Sequence, residues 1–239
     1  MGLRFISSAF RGETFIFLLL FVAFVDPSVT NRVNENRTAK NTTDEHQART
    51  VGGGAVYTRW GRNNCMDGIH TELVYHGYAG GSHYTSAGGA SDYLCLPSDP
   101  QWGSYNEVAN GLGEVWGAEY ETASFPFTLR NEGPSTLQNQ NVPCAVCRAK
   151  TRASVLMVPA RQECHEGWTR EYSGYLTSGH KAHKGRTQYA CMDAVPEADV
   201  AGYRNEDGVL FYPVEGICGS LPCPPYINGR ELTCVVCTK

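Results

Sequence analysis

Ten cysteines carry most of the chemistry in this chain of 239 residues. Four of them form two CxxC pairs, Cys144-Ala-Val-Cys147 and Cys234-Val-Val-Cys237, a spacing shared by zinc knuckles and thioredoxin-like redox sites. Two knuckles can complete a tetrahedral Cys₄ zinc site. Here 86 residues separate them, where a zinc ribbon has about 15 to 20. Redox catalysis sets its first cysteine at a helix N-terminus, which lowers the thiol pKa, whereas both pairs here lie in Val-, Leu- and Thr-rich sequence that reads as strand. Structural disulfides are therefore expected for all ten: Cys65, Cys95, Cys144, Cys147, Cys164, Cys191, Cys218, Cys223, Cys234 and Cys237. Residues three apart on an extended strand face opposite sides, which disfavours a bridge within a CxxC pair. Cys65 and Cys95 are left to join Cys144 and Cys147 in either order, and the later set follows suit. Cys218 and Cys223 close their own loop or bridge to another chain.

The other candidates are weaker. His83 and His180 each follow a Gly-Tyr at matching positions. They read either as metal or proton-transfer residues or, the plainer expectation, as histidines bonding a loop carbonyl. His180-x-x-His183 is flanked by Lys181 and Lys184, whose charges oppose cation binding, so it reads as a solvated loop. There is no G-x-S-x-G elbow, helical H-E-x-x-H or EF-hand loop. Glu121 and Glu215 correspond only loosely. No catalytic residue, metal site or cofactor is expected. Exposed aromatics among the 13 Tyr and 4 Trp could stack on sugars, though in a small disulfide domain they more often fill the core.

The elements that must hold these residues come from an internal duplication spanning about 55–150 and 153–239. Arg62-Asn-Asn-Cys65-Met-Asp-Gly68 answers Arg161-Gln-Glu-Cys164-His-Glu-Gly167, and Tyr75-His-Gly-Tyr78 answers Tyr172-Ser-Gly-Tyr175. Cys95 answers Cys191, and Val142-Pro-Cys-Ala-Val-Cys147 answers Leu232-Thr-Cys-Val-Val-Cys237. Beyond Gly52, the one segment longer than ten residues without Gly or Pro is Cys144 to Val158, so helices of ordinary length hardly fit. Strands are expected at Ala55–Trp60, Leu73–Tyr78, Ser154–Val158, Val209–Tyr212 and Leu232–Val236. The Gly-rich stretches Gly77–Gly89 and Gly111–Gly117 read as loops or bulged edges. The fold class is all-β: two tandem, disulfide-stapled, loop-rich modules, 53–150 and 151–239.

Arg4 and Arg11 precede a 12-residue apolar stretch, Thr14–Val25, closed by Asp26-Pro27. That length suits a signal-peptide h-region, while a membrane span needs about 20 residues. A signal peptide over 1–30 is expected, cleaved after small residues such as Ala23 and Val25 or Ser28 and Thr30, with an uncleaved signal anchor as the other reading. Residues 31–52 are almost devoid of apolar side chains and read as a disordered lead-in with glycosylation sequons at Asn36 and Asn41. No membrane association is expected once the signal is removed. A net charge of −4, without a block of either sign, gives no footprint for nucleic acid.

The set W-G-R-x-x-C, G-Y-x₄-H, Y-L-C-L-P, P-C-A-V-C-R and E-L-T-C-V-V-C-T-K resembles the C-terminal non-collagenous region of invertebrate short-chain (spongin-type) collagens and their collagen-free relatives. More distantly, Cys164-His-Glu-Gly-Trp168 with Tyr172-Ser-Gly-Tyr175 is similar to the opening of each half of the type IV collagen non-collagenous domain. The resemblance implies tandem disulfide-bonded β modules, trimerisation and chain selection, and brings no activity. This chain contains no Gly-X-Y rod. The expectation is a secreted, non-catalytic extracellular matrix protein, of a skeletal matrix in one version, whose partners are matrix polymers or glycans and which is free to oligomerise. The alternative is a secreted lectin-like module using Gly77–Gly89 and the counterpart near Gly174–His180.

Overall fold

Each CxxC pair lies on a strand with neighbours on both edges. In the first half, β1 (Val56–Trp60) and β2 (Thr71–Gly81) flank β5 (Pro143–Ala149), both antiparallel to it. In the second, β6 (Val155–Pro159) and β7 (Thr169–Ser178) flank β12 (Thr233–Thr238) in the same sense. Strands β3 (Leu94–Pro97) and β4 (Trp116–Tyr120) pair with β2, while β8 (Ala190–Asp193) and β9 (Val209–Pro213) pair with β7. A short hairpin-like pair, β10 (Glu215–Gly216) with β11 (Arg230–Glu231), completes the set.

This computed structural model describes residues 53–108, 113–131, 133–199 and 202–239. The expected signal peptide, the lead-in and the sequons at Asn36 and Asn41 lie outside them. The described residues contain no helix, and so none long and apolar enough to cross a membrane. The chain is all-β and disulfide-bonded.

The bridges are Cys65–Cys147, Cys95–Cys144, Cys164–Cys237, Cys191–Cys234 and Cys218–Cys223. The order left open by the sequence is therefore the same in both halves: the first cysteine of each half takes the second member of its CxxC pair. All four CxxC sulfurs are buried and locked in separate long-range bridges, which leaves no thiolate for zinc or redox chemistry. Each such bridge contributes about 2 to 4 kcal/mol.

The two Gly-rich stretches expected as loops or bulged edges are in part strand, while 82–89 is loop as expected. Gly77–Gly81 belongs to β2, and Gly117 lies in β4. A Cβ at Gly77 would collide with the Leu96 carbonyl oxygen on β3, and one at Gly174 with the Met192 carbonyl oxygen on β8. The glycine of each Gly-Tyr motif thus lets two backbones approach closely. Both halves also carry a bulge three residues before that glycine, at Val74 just before Tyr75 and at Glu171 just before Tyr172.

The halves are joined through strands as well as side chains. Strand β4 runs parallel to β9, pairing Ala118 with Val209 and Tyr120 with Phe211, and Trp60 of β1 pairs with Met192 of β8. The described residues form one compact unit. One core cluster gathers Trp60, Tyr93 and Tyr120 with Met192, Val209 and Phe211; the other joins Tyr57 and Cys147 to Tyr172, Leu176 and Val236. The Tyr93 and Phe211 rings stack at 4.0 Å. The same junction buries an ion pair, Arg59 Nη2 to Asp193 Oδ2 at 2.7 Å, and a Tyr57 hydroxyl that donates to Glu171 at 2.8 Å. Burial and this glutamate together push the Tyr57 phenol well above its usual range.

Candidate functional site

His83 and His180 lie in similar turns. After β2, the His83 carbonyl accepts from Ser86 N–H at 2.9 Å; after β7, the His180 carbonyl accepts from His183 N–H at 3.0 Å. Within each turn the imidazole Nδ1 accepts a backbone N–H two residues on: Thr85 at 3.3 Å for His83, Ala182 at 3.2 Å for His180. Each ring therefore acts as an acceptor toward an amide, which corrects the expectation of a bond to a loop carbonyl. The geometry resembles an Asx turn and needs Nδ1 unprotonated.

The two turns meet. Tyr84 N–H donates to the Gly208 carbonyl at 2.8 Å, Gly185 N–H to the Tyr84 carbonyl at 2.9 Å, and Gln188 N–H to the Ser91 carbonyl at 2.9 Å. A continuous row of rings follows: Trp116 on His83 at 4.7 Å, His83 on Tyr84 at 4.7 Å, Tyr84 on His183 at 4.6 Å, and Tyr212 on His180 at 5.1 Å. Burial lowers the His183 pKa, the neighbouring His180 lowers it further, and Asp207 opposes both. His183 therefore sits neutral at pH 7, with its Nδ1 buried and unbonded. The three imidazoles do not converge on a shared point at metal-ligand spacing.

What differs between the turns is charge. The segment between Glu171 and Asp193 holds no acidic residue, yet it carries Lys181, Lys184 and Arg186, all exposed. None of these three makes an ion pair among the described residues. With His180 and Tyr189, which is 61% exposed, Lys181 and Arg186 line a shallow cleft of about 300 Å³. The matching segment from Ser82 to Tyr93 has no lysine or arginine. The basic loop was legible in the sequence, where it reads as solvated. What the sequence did not show is the cleft or the exposed ring beside it.

At the β4–β9 seam lies a carboxylate group that sequence reasoning did not assemble, although it named Glu121. Glu119 on β4, Glu121 just after it and Asp207 before β9 bring oxygens within 4.8 Å of one another. Glu119 is 2% exposed. Its Oε1 accepts Glu206 N–H at 3.0 Å, and its Oε2 is buried with no hydrogen-bond partner. Burial raises its pKa, the Glu206 and Asp207 amides work against this, and the Asp207 and Glu121 charges raise it again. Glu121 accepts from the Gln138 amide at 2.6 Å. Glu215, its loose sequence counterpart, is exposed on β10 and takes no part. No family model matches the chain.

Proposed function

We propose that the chain is a secreted, non-catalytic extracellular matrix protein that works by holding matrix polymers, with anionic polysaccharide as the polymer class. The observation that carries this reading is the basic cleft of the second half. Lys181, Arg186 and the exposed Tyr189 line one concave surface, with Lys184 exposed on the same loop, on a protein whose net charge is −4. Cations meet sulfate or carboxylate groups, and an aromatic face meets the sugar ring. The five bridges suit an oxidising compartment, and the motif resemblance to spongin-type non-collagenous regions points to matrix. The lectin-like reading would use the loops at Gly77–Gly89 and near Gly174–His180, the second of which borders the same cleft.

Expression of the tagged full chain in secretory animal cells tests the reading. The expected result is glycosylated protein in the medium and in the detergent-insoluble matrix fraction, released from the latter by about 1 M salt, which screens surface charge within about 3 Å. Retention inside the cell, or recovery from the medium alone with none in the matrix fraction, overturns it.

A further inference from the structure

We infer that Glu119, Glu121 and Asp207 form a divalent-cation site of the calcium class that clips the two halves together. The inference is independent of the polysaccharide reading. Two observations carry it. The first is the convergence of three carboxylates from two separate parts of the chain, β4 and the loop entering β9, at the parallel seam between the halves. The second is the buried Glu119 Oε2. Its partner oxygen is already satisfied by Glu206 N–H, and Oε2 itself has no hydrogen-bond partner, although the Asp207 amide lies close enough to favour the charged carboxylate. A buried carboxylate oxygen without a donor is costly unless a proton or a cation meets it.

The donor set selects the ion. Every converging donor is a carboxylate oxygen, a hard ligand suited to calcium or magnesium rather than to copper or zinc. Two oxygens across one ion stand at most twice the metal–oxygen distance apart, about 4.6 to 5.2 Å for calcium and about 4.0 to 4.2 Å for magnesium. Oxygens within 4.8 Å of one another accommodate calcium without moving either strand. Water fills the remaining positions, because Glu121 and Asp207 are only half-buried. His183 feels the Asp207 charge but stands outside the group. Without a cation, the carboxylates on either side of the β4–β9 seam repel. With one, they attract the same ion, so occupancy and docking of the halves are coupled.

The test uses the full chain, stripped with EGTA and titrated with calcium chloride, with magnesium chloride in parallel. Calorimetry is expected to show one calcium per chain, with a Kd between about 10⁻⁴ and 10⁻³ M, the range of extracellular modules. The melting temperature is expected to rise with calcium and to respond at least tenfold more weakly to magnesium. Glu119→Gln removes the buried charge, so it should melt at or above the stripped wild type and lose the calcium increment. Asp207→Asn, which keeps a side chain suited to the positive φ of 61° there, should also weaken calcium binding at least tenfold. No heat and no melting shift at 10 mM calcium overturns the inference, as does a shift that persists undiminished in both variants. Stabilisation by Glu119→Gln in a chain indifferent to calcium also overturns it, since that result assigns a shared proton to the site.

Discussion

The loop from Ser82 to Tyr93 and the loop from Gly179 to Tyr189 share a fold and differ in what they display. Each leaves a strand whose Gly-Tyr glycine admits a close backbone neighbour, turns on a histidine that accepts an amide two residues ahead, and runs into a strand carrying a bridged cysteine. On that common frame the first loop presents Thr85, Ser86 and two glycines, whereas the second presents Lys181, Lys184 and Arg186. The bulges differ in the same way: Val74 points to solvent, while Glu171 is buried and bonded to Tyr57, Arg152 and Thr238. The residues that fix the chain path are the same in both halves. The ones that differ are those free to face a partner or the other half.

The comparison breaks most visibly where one half has no equivalent. Arg59 and Asp193 tie β1 to β8, but β6, the counterpart of β1, pairs with β12 alone among the named strands, and β3, the counterpart of β8, with β2 alone. Asp193→Ala leaves the Arg59 charge buried and unpaired, and should cost about 3 to 5 kcal/mol in urea unfolding. A loss below about 1 kcal/mol would mean the junction tolerates the lone charge. Removing Cys95–Cys144 or Cys191–Cys234 by paired Ala substitution should cost about 2 to 4 kcal/mol in each half. The closed loops span 49 and 43 residues, so the two losses should agree within about 1 kcal/mol. A large disparity would show that one half carries the stability of both.

Smaller effects sharpen the shared turn. His180→Ala removes its bond from the Ala182 amide and His83→Ala its bonds to the Thr85 amide and hydroxyl, each bond worth about 0.5 to 1.5 kcal/mol. His83→Asn and His180→Asn should restore most of that stability, because the Asn oxygen can accept the same amide. Equal losses from Ala and Asn would assign the ring's packing, not its nitrogen, as the stabilising feature.

The sequence carried the frame further than the site. Alternation within Cys144–Cys147 disfavoured a bridge between them, but both remaining orders satisfy that rule, and strand register alone decides between them. Strands β3 and β8 are four residues long, and β4 contains a glycine, too little for a periodic signal. Gly77–Gly81 read as loop because the carbonyl that forces glycine there comes from another strand. The carboxylate group was invisible because Glu121 and Asp207 meet only after β4 and β9 pair across the halves. The histidine pair was legible as a pair, while its bonding partner depended on a turn geometry that spacing does not encode.

The difference between the two loops is tested most directly by binding of full-length protein to heparin, used as a sulfated-polysaccharide probe, at 0.15 M salt. The triple variant Lys181→Ser, Lys184→Ser, Arg186→Ser should bind at least tenfold more weakly than wild type, with an unchanged melting temperature, since all three side chains are exposed and unpaired. Equal affinity of variant and wild type, or no binding by either, would contradict the assignment of the second loop as the polymer-holding surface.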